Sequence, residues 1–195
     1  MSNISKFMSE VFMLKRVKRS GFALVGAEQL DSVAEHIAVT SQIAFILGHL
    51  EGADPYRCAA ICLFHDNHET RLGDKNKVSA RYLSTKEAEK IADEEIFDNL
   101  PEELKGKILK LVEEKERRDT KEGVIAQDAD WLEVALQAKI HLEQGRKGAQ
   151  NWIDNVEAAL ETESAKKILA EIKNNPDFIN SWWQGLKKMT HQKLK

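Results

Sequence analysis

Apolar residues recur at helical spacing from one end of this chain to the other, and no comparable run alternates with period two. Ile4, Phe7, Met8, Val11 and Phe12 trace the first amphipathic face, at the i, i+3, i+4 intervals of one side of a helix. A sheet has no source in such a pattern, so the expected fold is all-α. The prolines agree: Asp54-Pro55, Leu100-Pro101 and Asn175-Pro176 each place Pro near a first helical position, where its missing N–H costs nothing. Ser32 followed three residues later by Glu35 has the form of a capping box. It predicts a helix to about Leu50 with His36 in its first turns. Further helices are expected over 54–72, 85–99, 101–118, 123–144, 149–161, 164–174 and from Pro176 onward, with a loop over 73–77.

The chain has 195 residues, 42% of them hydrophobic, which is enough to fill one core, and a single domain over 1–195 is expected. Its net charge is −3, with acidic and basic residues mixed along the sequence, so no basic field exists to hold a nucleic-acid backbone. Cys58 and Cys62 lie in an apolar run, YRCAAICLF, and read as buried thiols in a reducing compartment. No apolar run approaches the length of about 18 residues that a bilayer demands. With no leader-like N-terminus either, a cytoplasmic protein without a membrane partner is expected.

Chemistry concentrates in three separated segments. His36, the adjacent pair His65-Asp66, and a distant aspartate, Asp130 or its near neighbour Asp128, offer imidazole and carboxylate ligands suited to a divalent transition metal. Two residues apart on a helix, Asp128 and Asp130 point about 200° away from each other, and periodicity does not choose between them. Glu69 lies four residues beyond His65 and three beyond Asp66, on the same helical face, and Asp74 follows. A purely structural metal site has no use for such extra carboxylates. His49 and His141 read as ordinary, partly buried histidines. His68 has three readings: a substrate contact, a ligand of a second metal, or a solvent-facing residue.

The SVAEH segment ending at His36, the HDxxExxxGD spacing from His65 to Asp74, and DADWLEVALQA from Asp128 to Ala138 resemble the HD-domain phosphohydrolases, and within them the 5′-deoxynucleotidase branch. The resemblance covers roughly residues 11–145 and implies an HD-type helical bundle, with a helical extension over about 146–195. It also implies one divalent ion per site (cobalt, manganese, zinc, iron or magnesium) held by His36, His65, Asp66 and Asp130. Glu69 and Asp74 take the positions of the family's catalytic carboxylates. In the stretch KRSGF it places Arg19 to meet a phosphate and Phe22 to stack on the sugar or base, a spacing that departs from the Arg-Trp neighbours of some relatives.

The implied activity is hydrolysis of deoxynucleoside 5′-monophosphates by a homodimer. Two alternatives stand beside it: hydrolysis of a cyclic, triphosphate or alarmone nucleotide, and a non-catalytic metal- or nucleotide-binding module. The basic cluster Lys15, Arg16, Lys18 and Arg19 reads as a solvated helix end from which one or two charges could reach a phosphate. Apolar residues in the last third, among them Trp152, Ile153, Val156, Leu160, Leu169, Trp182 and Trp183, read as packing surface.

Overall fold

The computed structural model describes residues 3–186, and among these every regular element is helical. Two helices open the chain order, α1 (Ile4–Val11) and α2 (Val33–Leu50), joined through two short 3-10 turns at Phe12–Lys15 and Gly21–Val25. Then come α3 (Pro55–Phe64), α4 (Glu69–Leu72), α5 (Lys77–Tyr82), α6 (Lys86–Phe97), α7 (Glu102–Arg117) and α8 (Lys121–Glu143). The described part ends with α9 (Gln150–Ala159), α10 (Glu163–Asn174) and α11 (Phe178–Ser181). The expected helix from Pro176 onward is only four residues long, followed by a turn carrying the exposed Trp182 and Trp183. Its remaining expected part, from residue 187, lies outside the described residues.

Helices α2, α3 and α8 form the frame, each packed against the other two. Small residues let them approach: Ala44, Cys58, Cys62, Ala126 and Ala129 are wholly buried between them. At Gly48 a Cβ would sit 2.8 Å from the Cα of Pro55, so the start of α3 touches α2 backbone to backbone only because position 48 carries no side chain. Leu47, Ile61 and Leu132 fill what remains, each buried at about 1.5–3 kcal/mol of transfer free energy. Both cysteines are free and buried, as their apolar surroundings predict. Ile153, Val156, Leu160, Ala165, Leu169 and Ile172, from α9, α10 and the link between them, join the same apolar cluster as the frame.

The capping box forms as the sequence predicts, with the Ser32 hydroxyl accepting from the Glu35 N–H and the Glu35 carboxylate accepting from the Ser32 N–H. Helix α2 ends at Leu50. Contrary to the expectation that no apolar run approaches about 18 residues, this helix, alone among the described residues, is long and apolar enough by length and composition to cross a membrane. Packed against α3 and α8 and carrying buried His36 and Thr40, it is the core helix of the bundle.

One expected helix is broken. Residues 54–72 divide into α3 and α4, separated by a tight turn at His65–His68. The Nδ1–H of His65 donates to the Cys62 carbonyl at 2.7 Å, and the following bonds are i to i+3: the N–H of Glu69 donates to Asp66 and that of Thr70 to Asn67. Such over-wound geometry replaces the regular ladder and redirects the side chains of the pair and of Glu69.

Candidate active site

His36 leaves α2 one turn from its start and is 1% exposed; His65, at the end of α3, is 4% exposed. Each ring is oriented by a bond on its Nδ1 side: His36 to the Glu133 carboxylate at 2.6 Å, His65 to the carbonyl of Cys62. Fixing the proton on Nδ1 leaves the Nε2 lone pair as the free donor, the usual arrangement of a metal-ligating imidazole. Both Nε2 atoms are buried without a hydrogen-bond partner. They converge on carboxylates: His36 Nε2 is 3.2 Å from Asp130 Oδ1 and 3.6 Å from Asp66 Oδ2, and His65 Nε2 is 3.0 Å from Asp66 Oδ2 and 3.9 Å from Asp130 Oδ2. Buried lone pairs facing carboxylate oxygens fit a divalent cation, and His36, His65 and Asp66 offer atoms within 4.8 Å of one another.

Charges reinforce that reading. Against the upward pull of burial, the neighbouring His65 holds Asp66 well below the ordinary carboxylate range. Asp130 is held low in the same way by Lys115 and His36, again against burial. Burial lowers the proton affinity of His36, yet the carboxylates of Asp130 and Glu133 beside the ring outweigh that and raise it to about 9. A cation entering among these oxygens would displace that proton, so binding is linked to proton release.

The structure separates the two aspartates of α8. Asp128 is fully buried and accepts from the N–H groups of Glu161 and Thr162 and from the Thr162 hydroxyl. Its oxygens close the α9–α10 link and are not available to the histidines. Asp130 faces the histidines and accepts from Lys115 at 2.7 Å.

Glu69 is 8% exposed, with Oε2 unpartnered, and burial followed by the charges of Asp66 and Asp74 pushes its carboxyl up to about 9. Gly73, at φ 72°, ends α4 in a conformation that side chains resist and turns the chain so that Asp74 comes back toward the N-terminal segment. There Asp74 Oδ2 accepts from the Ser20 N–H and, at 2.8 Å, from the Ser20 hydroxyl. Arg19 donates to Glu133 at 2.7 Å, on the same carboxylate oxygen that receives His36. Of the basic cluster, Arg19 is the member whose charge is tied into this network.

Two openings flank the cluster. A cavity of about 420 Å³ is lined by Arg19, Phe22, Asp74, Lys77, Trp131 and Trp152, among others. A more polar one of about 370 Å³ exposes His65, Asp66, His68, Glu69, Lys75 and Lys115. His68 does not face solvent freely: its Nδ1 is 3.2 Å from Asp93, and its side chain is 12% exposed. Phe22 reaches the first cavity but is only 6% exposed, packed on His141 and Trp152.

Sequence reading missed two members of the network. Glu133 carried a faint signal, since it follows Asp130 by three residues and so shares its face of α8. Lys115 carried none, because only the packing of α7 on α8 brings it to Asp130.

The profile of the HD domain family matches residues 11–173. The chain belongs to the HD domain family. A zebrafish (Danio rerio) protein named 5′-deoxynucleotidase HDDC2 is 31% identical over 150 residues, 76% of this chain and 74% of that protein. The 5′-deoxynucleotidase YfbR of Escherichia coli is 24% identical over 84% of this chain and 86% of its own length. Solved structures share the fold. A conserved hypothetical protein from Pyrococcus furiosus superposes with a TM-score of 0.73 at 24% identity, covering 87% of this chain and 98% of that one. A predicted metal-dependent phosphohydrolase from Magnetospirillum magnetotacticum does so at 0.69 and 22%, covering 90% and 93%. As an HD domain protein with such relatives, the chain is a metal-dependent phosphomonoesterase.

Proposed function

We propose that this enzyme is a 5′-deoxynucleotidase, converting deoxynucleoside 5′-monophosphates to deoxynucleosides and phosphate. The observation that carries the reading is the pair of buried, unpartnered Nε2 atoms of His36 and His65 facing Asp66 and Asp130, beside a cavity that holds both an arginine and aromatic rings. The names of the relatives support the same substrate class.

His36, His65, Asp66 and Asp130 would hold the divalent ion, which supplies charge neutralisation at a phosphoryl oxygen and acidifies a bound water. Arg19 lines the cavity and is the donor we assign to the phosphate, using its guanidinium fork while Glu133 fixes its position. Asp74 keeps Oδ1 available while Ser20 holds Oδ2, and we assign it to orient and deprotonate the attacking water. Glu69 holds a proton readily at its buried carboxyl, and we assign it to the proton of the departing 5′-oxygen. Phe22 forms the floor of the sugar and base pocket. The homodimer and the cytoplasmic location remain part of this proposal.

The test is phosphate release by metal-stripped protein from a panel of deoxy- and ribonucleoside monophosphates, with each divalent metal added back and Glu69→Ala as control. Release from deoxymonophosphates that the substitution abolishes supports the reading. No phosphate release from any monophosphate with any metal would overturn it, and cyclic and polyphosphorylated nucleotides, assayed by chromatography of their nucleotide products, would then test for another HD hydrolase activity.

A further inference from the structure

Resting on that reading, we infer that Trp152, on α9, is the stacking surface for the nucleobase. Phe22 is the aromatic residue nearest to Arg19 in sequence, but His141 and Trp152 cover it at centroid distances of 4.7 and 5.2 Å, leaving it 6% exposed. Trp152 is only partly buried and lines the same cavity as Arg19 and Asp74.

The position of the ring is set by the two segments that carry the phosphate-side groups. Gly21, two residues after Arg19, is so close that a Cβ there would lie 3.9 Å from the indole Nε1. Lys77, three residues after Asp74, holds its ammonium 5.2 Å from the ring centroid. Arg19, Gly21, Asp74, Lys77 and Trp152 all line one cavity of about 420 Å³, so a nucleotide with its phosphate between Arg19 and Asp74 has its base in the space walled by the indole.

Lys77 marks the accessible face. An exposed lysine over an indole is held weakly, whereas a nucleobase stacked on an aromatic ring is bound more strongly and tolerates any base. The base displaces the ammonium, and Asn155, one turn further along α9 on the cavity wall, borders the base edge.

The experiment compares deoxyadenosine 5′-monophosphate with 2-deoxyribose 5-phosphate, which has the same sugar and phosphate without a base. Metal-loaded wild type, Trp152→Leu and Trp152→Phe are assayed for phosphate release, with melting temperature as a check on packing. Wild type is expected to favour the nucleotide at least tenfold, through KM. Trp152→Leu is expected to erase that preference by raising KM for the nucleotide, with the sugar phosphate within about twofold of wild type; Trp152→Phe retains most of it. Equal losses on both substrates by Trp152→Leu, or no wild-type preference, would overturn the inference while leaving the phosphatase reading intact. Should wild type hydrolyse neither ester, the nucleotidase reading fails, and calorimetric binding of the nucleotide decides the subsite: binding weakened by Trp152→Leu and kept by Trp152→Phe supports it, any other pattern overturns it.

Discussion

Two faces of α8 treat the same side chain in opposite ways. On one, Asp128 is saturated by the backbone and hydroxyl donors of Glu161 and Thr162. On the other, Asp130 accepts from Lys115 and also meets two imidazoles whose buried Nε2 atoms have no hydrogen-bond partner. A carboxylate saturated by backbone and hydroxyl donors is structural, whereas one set beside unpartnered imidazole nitrogens fits a divalent cation. The contrast recurs at Glu114, satisfied by Arg57 and Thr120, against Glu69, whose Oε2 is left open.

The largest effect should come from the open face. Asp130→Asn is expected to lower phosphate release at least about a thousandfold, near 4 kcal/mol of transition-state stabilisation. It should also remove the rise in melting temperature that added metal gives the wild type. A variant that still turned over at wild-type rate would erase the distinction between the two faces.

Asp128→Ala tests the other face. It strands buried donors of the α9–α10 link and should cost about 3 kcal/mol, or roughly 6–12 °C in melting temperature, with kcat per folded molecule unchanged. Loss of metal content in that variant would count against the assignment of Asp130.

Glu133→Gln sharpens the comparison at its border, because the residue belongs to the open face yet acts only through the His36 ring and Arg19. The expected loss is about 10–100-fold in metal affinity or turnover, the range for an outer partner of a metal-ligating histidine. Gly48→Ala probes the frame beneath both faces. Its Cβ would press on the Pro55 backbone, so about 1–3 kcal/mol of stability should be lost in chemical denaturation, with activity retained below the transition.

The smallest effect is a pH dependence. Burial raises Glu114, but bonds from Arg57 and Thr120 outweigh it and hold the folded-state value below the ordinary 4.5. A depressed carboxylate contributes stability that is complete above the unfolded value and lost as pH falls through the folded one. Denaturation midpoints of wild type and Glu114→Gln should therefore converge as pH drops below about 4.5. Midpoints that stayed parallel through that range would show that Glu114 does not contribute in this way.

Most of the fold was legible because it rests on local rules. The Ser32–Glu35 cap, the prolines at helix starts and the apolar periodicity act within one or two turns, and α2, α7, α8 and α10 form within a few residues of where those signals put them. The break at His65–His68 was not legible, since nothing in the local pattern announces a histidine ring bonding the Cys62 carbonyl of its own helix. Nor did α5, Lys77–Tyr82, declare itself: its cap, Asn76, lies inside the expected loop.

By itself the sequence determined the helical class, the metal-liking residues and the carboxylates beside them, because residue type and spacing fix local chemistry. Only the tertiary structure set Asp130, the aspartate the resemblance implied, beside the histidines and Asp128 under the α9–α10 link, recruited Glu133 and Lys115, buried Phe22 and brought Trp152 to the cavity. Each of these depends on contacts between different elements, such as Lys115 of α7 on Asp130 of α8 or the α9–α10 link on Asp128 of α8. Periodicity says which face of a helix is apolar, but the partner on that face is set by how the small residues of α2, α3 and α8 let their backbones approach.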